Sequence, residues 1–341
     1  MPAAELLVQF GCGIETDDPE QGLPYWSSRW DRPRPVLKWK GVEEGVPRLL
    51  DAVERVTDSC GGFGMTFFVR ADEQIRTVTG SSAFIHERFG RLFNGLDPDR
   101  FEFGWHPHLY RWSDRLRSWS TELEDDAWLE SEMKRTFGEL ERAGRRPHVA
   151  RCDGVTSPVY TRTLDSLGLE ADSSAFPGHR IMAWNSLRNR ILRGIALNVC
   201  FDWIGSPDQP YRPAADDHRR PGTLSLWEVP LDAYSTRHPL FPWQTYYTPW
   251  KFFSRHPGQT AYLEGLFRTV KETGRSRLLV TSQHSSDIVR GWTGRLFRHS
   301  IDHLAYHIET LQGFSDRFGI PFRFVTFRDI LSRLQAENAS R

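Results

Sequence analysis

Two histidines separated by one residue follow an apolar run at Phe101–Trp112, which reads FEFGWHPHLYRW. On an extended chain His106 and His108 project to one side, and two imidazoles on one side suit two ligands of a single metal. The same spacing also serves a pair of hydrogen-bonded or surface histidines, and the chain holds twelve. The first apolar run, LLVQFGCGI at Leu6–Ile14, is followed by Glu15, Asp17 and Asp18. One carboxylate there can complete a ligand set of two histidines and one carboxylate, while another acts as base for its water. The alternative is an acidic turn or helix cap formed by Thr16 and Asp17. A fourth run leads into Arg151-Cys152-Asp153-Gly154. Arg151 can hold a carboxylate through its bidentate fork. Asp153 can contact substrate or a bound water, or pair with Arg151. LLVTSQH places His284 at the end of a late run, where an imidazole can protonate a leaving group or serve structurally.

These groups need a scaffold that brings strand ends together. Eight short runs rich in β-formers recur: Leu6–Ile14, Met65–Arg70, Phe101–His106, His148–Cys152, Leu169–Ser174, Leu224–Leu231, Leu278–His284 and Phe322–Phe327. Helical stretches separate several of them, at Gly45–Asp58, Asp125–Ala143, Pro158–Leu167, Gln259–Thr273 and His299–Phe318, with Gly144 and Gly319 placed as C-caps. This alternation predicts an α/β fold, a (β/α)7-8 barrel with its active site at the strand C-termini. One domain over residues 1–341 accounts for the pattern. Aromatic, proline-rich stretches at 23–35, 207–221 and 236–250 read as ordered loops that roof a pocket.

Composition narrows the function. The 44 Lys+Arg balance 44 Asp+Glu, so the basic footprint of a nucleic-acid or anionic-membrane binder is missing. No apolar run approaches the roughly 18 residues of a membrane span, and the first ten residues lack the basic, then apolar, pattern of a secretory signal. A cytoplasmic protein is expected. Cys12, Cys60, Cys152 and Cys200 lie far apart, which argues for reduced thiols and against a zinc ribbon.

The ordered motifs resemble the polysaccharide deacetylase superfamily, the NodB-like carbohydrate esterases of family four and their amide hydrolase relatives. MTFFVR resembles the family's second strand, GWHPH its histidine motif, ARCDGVTSPVYTRTLDSLGLEADSS its arginine motif, and LLVTSQH its late L-x-H segment. The resemblance implies a distorted, incomplete (β/α) barrel and metal-assisted hydrolysis of an N-acetyl or related amide. It implies Glu15, His106 and His108 as metal ligands, with His108 standing in for a histidine that relatives carry where Tyr110 lies. It also implies His284 as general acid and Arg151 as the residue orienting the base. The family's D-x-E frame falls on Gly13-Ile14-Glu15, so the base moves to Asp17, Asp18 or Asp153. The implied cofactor is a divalent metal, zinc by donor type, and the implied substrate an amino sugar, small glycoside-like metabolite or oligosaccharide. An inactive relative that binds a glycan or nucleotide sugar, or a hydrolase of cyclic amides or ureides, are the alternatives.

Overall fold

The computed structural model describes residues 4–16, 33–115, 117–152, 156–182, 199–237, 245–290, 293–294 and 297–339. Its centre is a parallel sheet of β1 (Leu6–Ile14), β2 (Met65–Arg70), β3 (Phe101–His106), β4 (Val149–Ala150), β5 (Ala171–Asp172), β6 (Trp227–Glu228), β7 (Arg277–His284) and β8 (Phe322–Phe324). The spatial order is β6-β5-β4-β3-β2-β1-β7, and β8 lies beside the first half of β1. Each of the eight runs read from the sequence contains or overlaps one of these strands. β1, β2 and β3 match their runs residue for residue, whereas β4, β5 and β6 shrink to two residues. The pairing of β3 with β4 is confined to Trp105 opposite Ala150, so the ladder is too short there to extend the strand.

The sheet is curled. Arg151, just after β4, donates from Nη1 to the carbonyl of Thr281 on β7 at 2.9 Å and from Nη2 to Gln9 Oε1 on β1 at 3.3 Å. Four strand spacings separate β4 from β7, about 19 Å if the sheet were flat. One side chain touches both because the sheet wraps around it. The result is a mixed α/β half-barrel; among the described residues no pairing joins β6 to β7.

Period-two alternation sorts the side chains. On β1, Leu6, Val8, Phe10, Cys12 and Ile14 belong to the outer core, packed with Val46, Leu49, Leu263 and Phe267 of the surrounding helices. Burying each such side chain contributes about 1.5–3 kcal/mol. Leu7, Phe68, Leu278 and Val280 belong to a separate inner cluster. The inner face of β1 therefore runs Leu7, Gln9, Gly11, Gly13, Glu15, which makes room and then places a carboxylate at the mouth. A Cβ on Gly11 would lie 2.1 Å from Nη1 of Arg151, so this position admits only glycine while the guanidinium crosses the interior.

The helices are α1 (Val46–Thr57), α2 (Glu73–Thr79), α3 (Phe84–Phe93), α4 (Asp126–Arg142), α5 (Pro158–Ser166), α6 (Pro257–Thr273), α7 (Ser285–Arg290), α8 (His303–Phe318) and α9 (Phe327–Ala339). The five helical stretches expected from sequence correspond to α1, α4, α5, α6 and α8. The expectation for α8 began at His299, but the helix starts at His303. Gly319 (φ 67°) closes α8 and Gly144 (φ 72°) follows α4, as expected. Of the aromatic loops, 207–221 builds onto the sheet edge: Tyr211 and Glu228 exchange both backbone hydrogen bonds, at 3.0 and 2.7 Å. Covering an edge in this way blocks pairing with another chain. Residues 17–32 and 238–244 lie outside the described residues, so the loop at 23–35 is described only from 33 onward. The loop at 236–250 is described at its two ends, where Ala233–Arg237 and Thr245–Pro249 form an antiparallel hairpin. Cys12, Cys60 and Cys152 are buried and form no disulfide among the described residues.

Candidate active site

Sheet register brings the chemistry to one level. Arg70 pairs with His106, Ile14 with Val69, and Gly13 with His284. Glu15, Arg70, His106 and His284 therefore end four adjacent strands at the same mouth, on the inward parity. His108 follows two residues after His106 and turns to the same side.

Three of these residues converge. Nε2 of His108 lies 3.0 Å from Nε2 of His106 and 3.5 Å from Oε2 of Glu15, and one ligand atom from each falls within 4.8 Å of the others. Tetrahedral zinc at about 2.05 Å from each nitrogen would hold its ligands about 3.3 Å apart. The donor set, two imidazoles and a carboxylate with a position left for water, fits a catalytic zinc-type ion. A further feature supports this fit. Nδ1 of His106 lies 2.5 Å from the carbonyl of Arg151, so it donates, which in the neutral imidazole leaves the lone pair on Nε2, the atom 3.0 Å from Nε2 of His108. That outer hydrogen bond is how metal-binding histidines have their tautomer set.

His284 joins the same cluster, its Nε2 3.9 Å from Oε1 of Glu15 and its ring centroid 6.0 Å from that of His106. It reaches this position only because residue 13 is glycine. A Cβ there would sit 2.3 Å from Cδ2 of His284. The space a side chain at position 13 would take is thus filled by the imidazole of the neighbouring strand. Asp287, in the first turn of α7, accepts from the backbone N–H of His284 at 3.3 Å and from Nζ of Lys251 at 3.3 Å. Burial pushes the Asp287 carboxyl up, but the charges of Lys251, His284 and His299 outweigh burial and hold it at about 2.

Arg70 was not singled out from the sequence. It is fully buried, and it donates from Nε to Asp72 at 2.5 Å, from Nη2 to Gln74 at 2.7 Å and from Nη1 to Thr16 at 3.1 Å. Its guanidinium also lies 5.6 Å from the ring of Tyr110, which packs edge-on against His108 with centroids 5.0 Å apart. Arg70 therefore braces both sides of the cluster, through the residue after Glu15 and through the ring beside His108. The signal available in sequence was parity: in MTFFVR the arginine shares the inward face with Phe68.

Arg151 is 2% exposed. Its guanidinium also bonds Ser173 Oγ at 3.0 Å and lies 4.1 Å from the centroid of Phe68, while its carbonyl holds His106. The structure thus shows contact with the cluster through the Arg151 backbone. Asp17 and Asp153 lie outside the described residues.

No protein-family model and no curated protein matches the chain. Among solved structures, a 4-alpha-glucanotransferase from Thermococcus litoralis is similar at 11% identity with a TM-score of 0.43. The match covers 96% of this chain but 38% of that one. At that score the likeness decides neither fold family nor activity.

Proposed function

We propose that the protein is a metal-dependent hydrolase of an amide bond, an N-deacetylase of an amino sugar or small glycoside-like metabolite, built on a NodB-type barrel. The observation that carries this reading is the meeting of Glu15, His106 and His108 with His284 at one strand-end mouth. Glu15, His106 and His108 would hold a divalent ion, zinc by donor type. When bound, such an ion supplies Lewis acidity and lowers the pKa of water.

The chain's own residues supply the remaining functions. The Arg151 carbonyl accepts from Nδ1 of His106 and so holds the ring with Nε2 as its ligand atom in the neutral tautomer. Arg70, through Thr16, fixes the chain next to Glu15. His284 is the general acid that protonates the departing amine nitrogen, a role worth about 10²–10⁴ in rate. Asp17 is proposed as base and Asp153 as a substrate contact, both from their positions just after strand runs, and Arg151 is proposed to orient the base, as the family resemblance implies. One observation favours a second reading, an inactive relative that binds an N-acetylated ligand: Gly13 stands where relatives carry an acid, and His284 fills its space.

The test is elemental analysis of protein purified without chelators, beside the His106→Ala/His108→Ala variant, followed by assay on N-acetylated amino sugars. We expect about one equivalent of transition metal, lost in the variant along with acetate release. Metal-free, folded wild-type protein overturns the metal centre. A metal-loaded protein that binds N-acetyl ligand without releasing acetate selects the inactive reading.

A further inference from the structure

The far end of β3 carries a second feature of a different kind. Because β3 and β4 pair only at Trp105 and Ala150, the chain through residues 144–148 diverges from Phe101–Gly104. A cavity of about 500 Å³ fills the wedge, within the range of small-molecule sites. Phe93, Leu96 and Phe101 form apolar wall, and Arg145, Arg146 and Arg328 line it too.

Charge in the wedge is unbalanced. Glu102 is the one carboxylate in its lining, and it is already engaged. It accepts from Thr66 Oγ1 at 2.7 Å and from the N–H groups of Phe327 and Arg328 at 2.5 and 3.2 Å, capping α9, with Nε2 of His148 3.3 Å away. Arg146 is met by Glu141 at 3.0 Å. Arg145 and Arg328 instead donate to neutral oxygens, those of the Asn94 amide and the Pro98 carbonyl. Their charges remain available to an anion.

A buried group points the same way. His86 lines the wedge at 8% exposure, packed edge-on against Phe93 and Phe103, and its Nδ1 meets no hydrogen-bond partner among the described residues. A buried ring nitrogen of this kind is costly unless something satisfies it. Burial, with the nearby charge of Arg145, lowers its pKa to about 4, so near pH 7 it offers a neutral hydrogen bond.

We propose that this wedge is a ligand site separate from the strand-end mouth, taking a small organic anion. Its flat apolar body lies against Phe93 and Phe101, and its carboxylate, sulfonate or phosphate meets Arg145 and Arg328. The lining runs along β3 from Phe101 to Trp105, and the end that carries the proposed contacts, at Phe101, is five residues or about 16 Å from His106, far enough for both sites to be filled together. The assignment does not depend on the chemistry at the mouth.

The experiment is a fluorescence titration of the full chain with anilinonaphthalene sulfonate, beside its uncharged counterpart N-phenylnaphthylamine. The variants are Arg145→Glu/Arg328→Glu, both at partly or fully exposed positions, and His106→Ala, with circular dichroism to establish that each is folded. We expect saturable binding of about one sulfonate probe, weakened about tenfold or more in the charge-reversed variant, as loss of charge-assisted hydrogen bonds requires. Binding should be unchanged in His106→Ala and much weaker for the uncharged probe. Equal affinity in the folded charge-reversed variant, equal affinity for the uncharged probe, loss of binding in His106→Ala, or no saturable signal overturns the site.

Discussion

A single missing side chain shapes the mouth. Gly13 leaves the space that His284 occupies, and His284 Nε2 there lies 3.9 Å from Glu15 Oε1, beside His108 Nε2 at 3.5 Å from the same carboxylate. Gly13→Ala would drive a methyl group to 2.3 Å from the ring, so the ring must move while the three ligands keep their own supports. Overpacking of this kind costs about 1–3 kcal/mol, and an acid displaced by about 1 Å loses about 10²-fold in rate. On the proposed hydrolase reading we therefore expect Gly13→Ala to fold, to retain metal, and to lose about 10²-fold in kcat against an N-acetylated substrate. Turnover at the wild-type rate would show that the position of His284 does not matter to the reaction.

At the level of elements, the ends of β1 and β2 and the start of α2 are tied by one buried ion pair. Asp72 caps α2 by accepting from the N–H of Ile75 at 2.9 Å, and it also neutralises Arg70, both side chains being nearly inaccessible. Asp72→Ala removes the cap and leaves a buried guanidinium without this counterion. Breaking such a pair costs about 3–5 kcal/mol, with about 1 kcal/mol more for the cap. Urea denaturation should show a loss of that order, and a weaker grip on metal should accompany it because Arg70 also holds Thr16 beside Glu15. A loss below about 1 kcal/mol would mean that Arg70 finds its partners elsewhere.

Across the whole molecule, buried ionisable groups make stability depend on pH in two opposing ways. His86, His218 and His307 are held down at about 4, chiefly by burial. The unfolded chain takes up their protons near pH 6.5 while the folded one resists to about 4, so they subtract stability as pH falls through that window. On facing strands β5 and β6, Asp172 is opposite Glu228. Burial raises Asp172 to about 7, and burial with the Asp172 charge raises Glu228 well above the carboxylate range. The folded pair keeps a proton that the unfolded chain gives up near pH 4, so its contribution is present at low pH and lost as pH rises. Glu228→Gln replaces the protonated carboxyl with a neutral amide of similar shape. Its Tm relative to wild type should therefore climb from about pH 5 to about pH 8, and a constant difference would show that the pair does not share a proton.

Much of this architecture was legible before folding. Eight strand runs, the main helices, and the placement of Glu15, His106 and His284 at strand ends follow from local apolar periodicity, because alternation and caps are properties of neighbouring residues. The short ladders of β4, β5 and β6 were not legible, since their length depends on how far adjacent strands stay in contact. Nor were α2, α3, α7 and α9 read in advance: α2 and α7 span seven and six residues, and α9 has its N-terminus capped by Glu102 from β3, a partner 225 positions away. The roles of Arg70, of Gly13 and of the Arg151 carbonyl are tertiary facts. Each rests on which strand lies beside which, and on the curl that carries one side chain from β4 to β7. Sequence by itself determined the residue types at the mouth and the strands that bear them. Only the folded sheet decided that they meet, because register and curvature arise from contacts between segments distant along the chain.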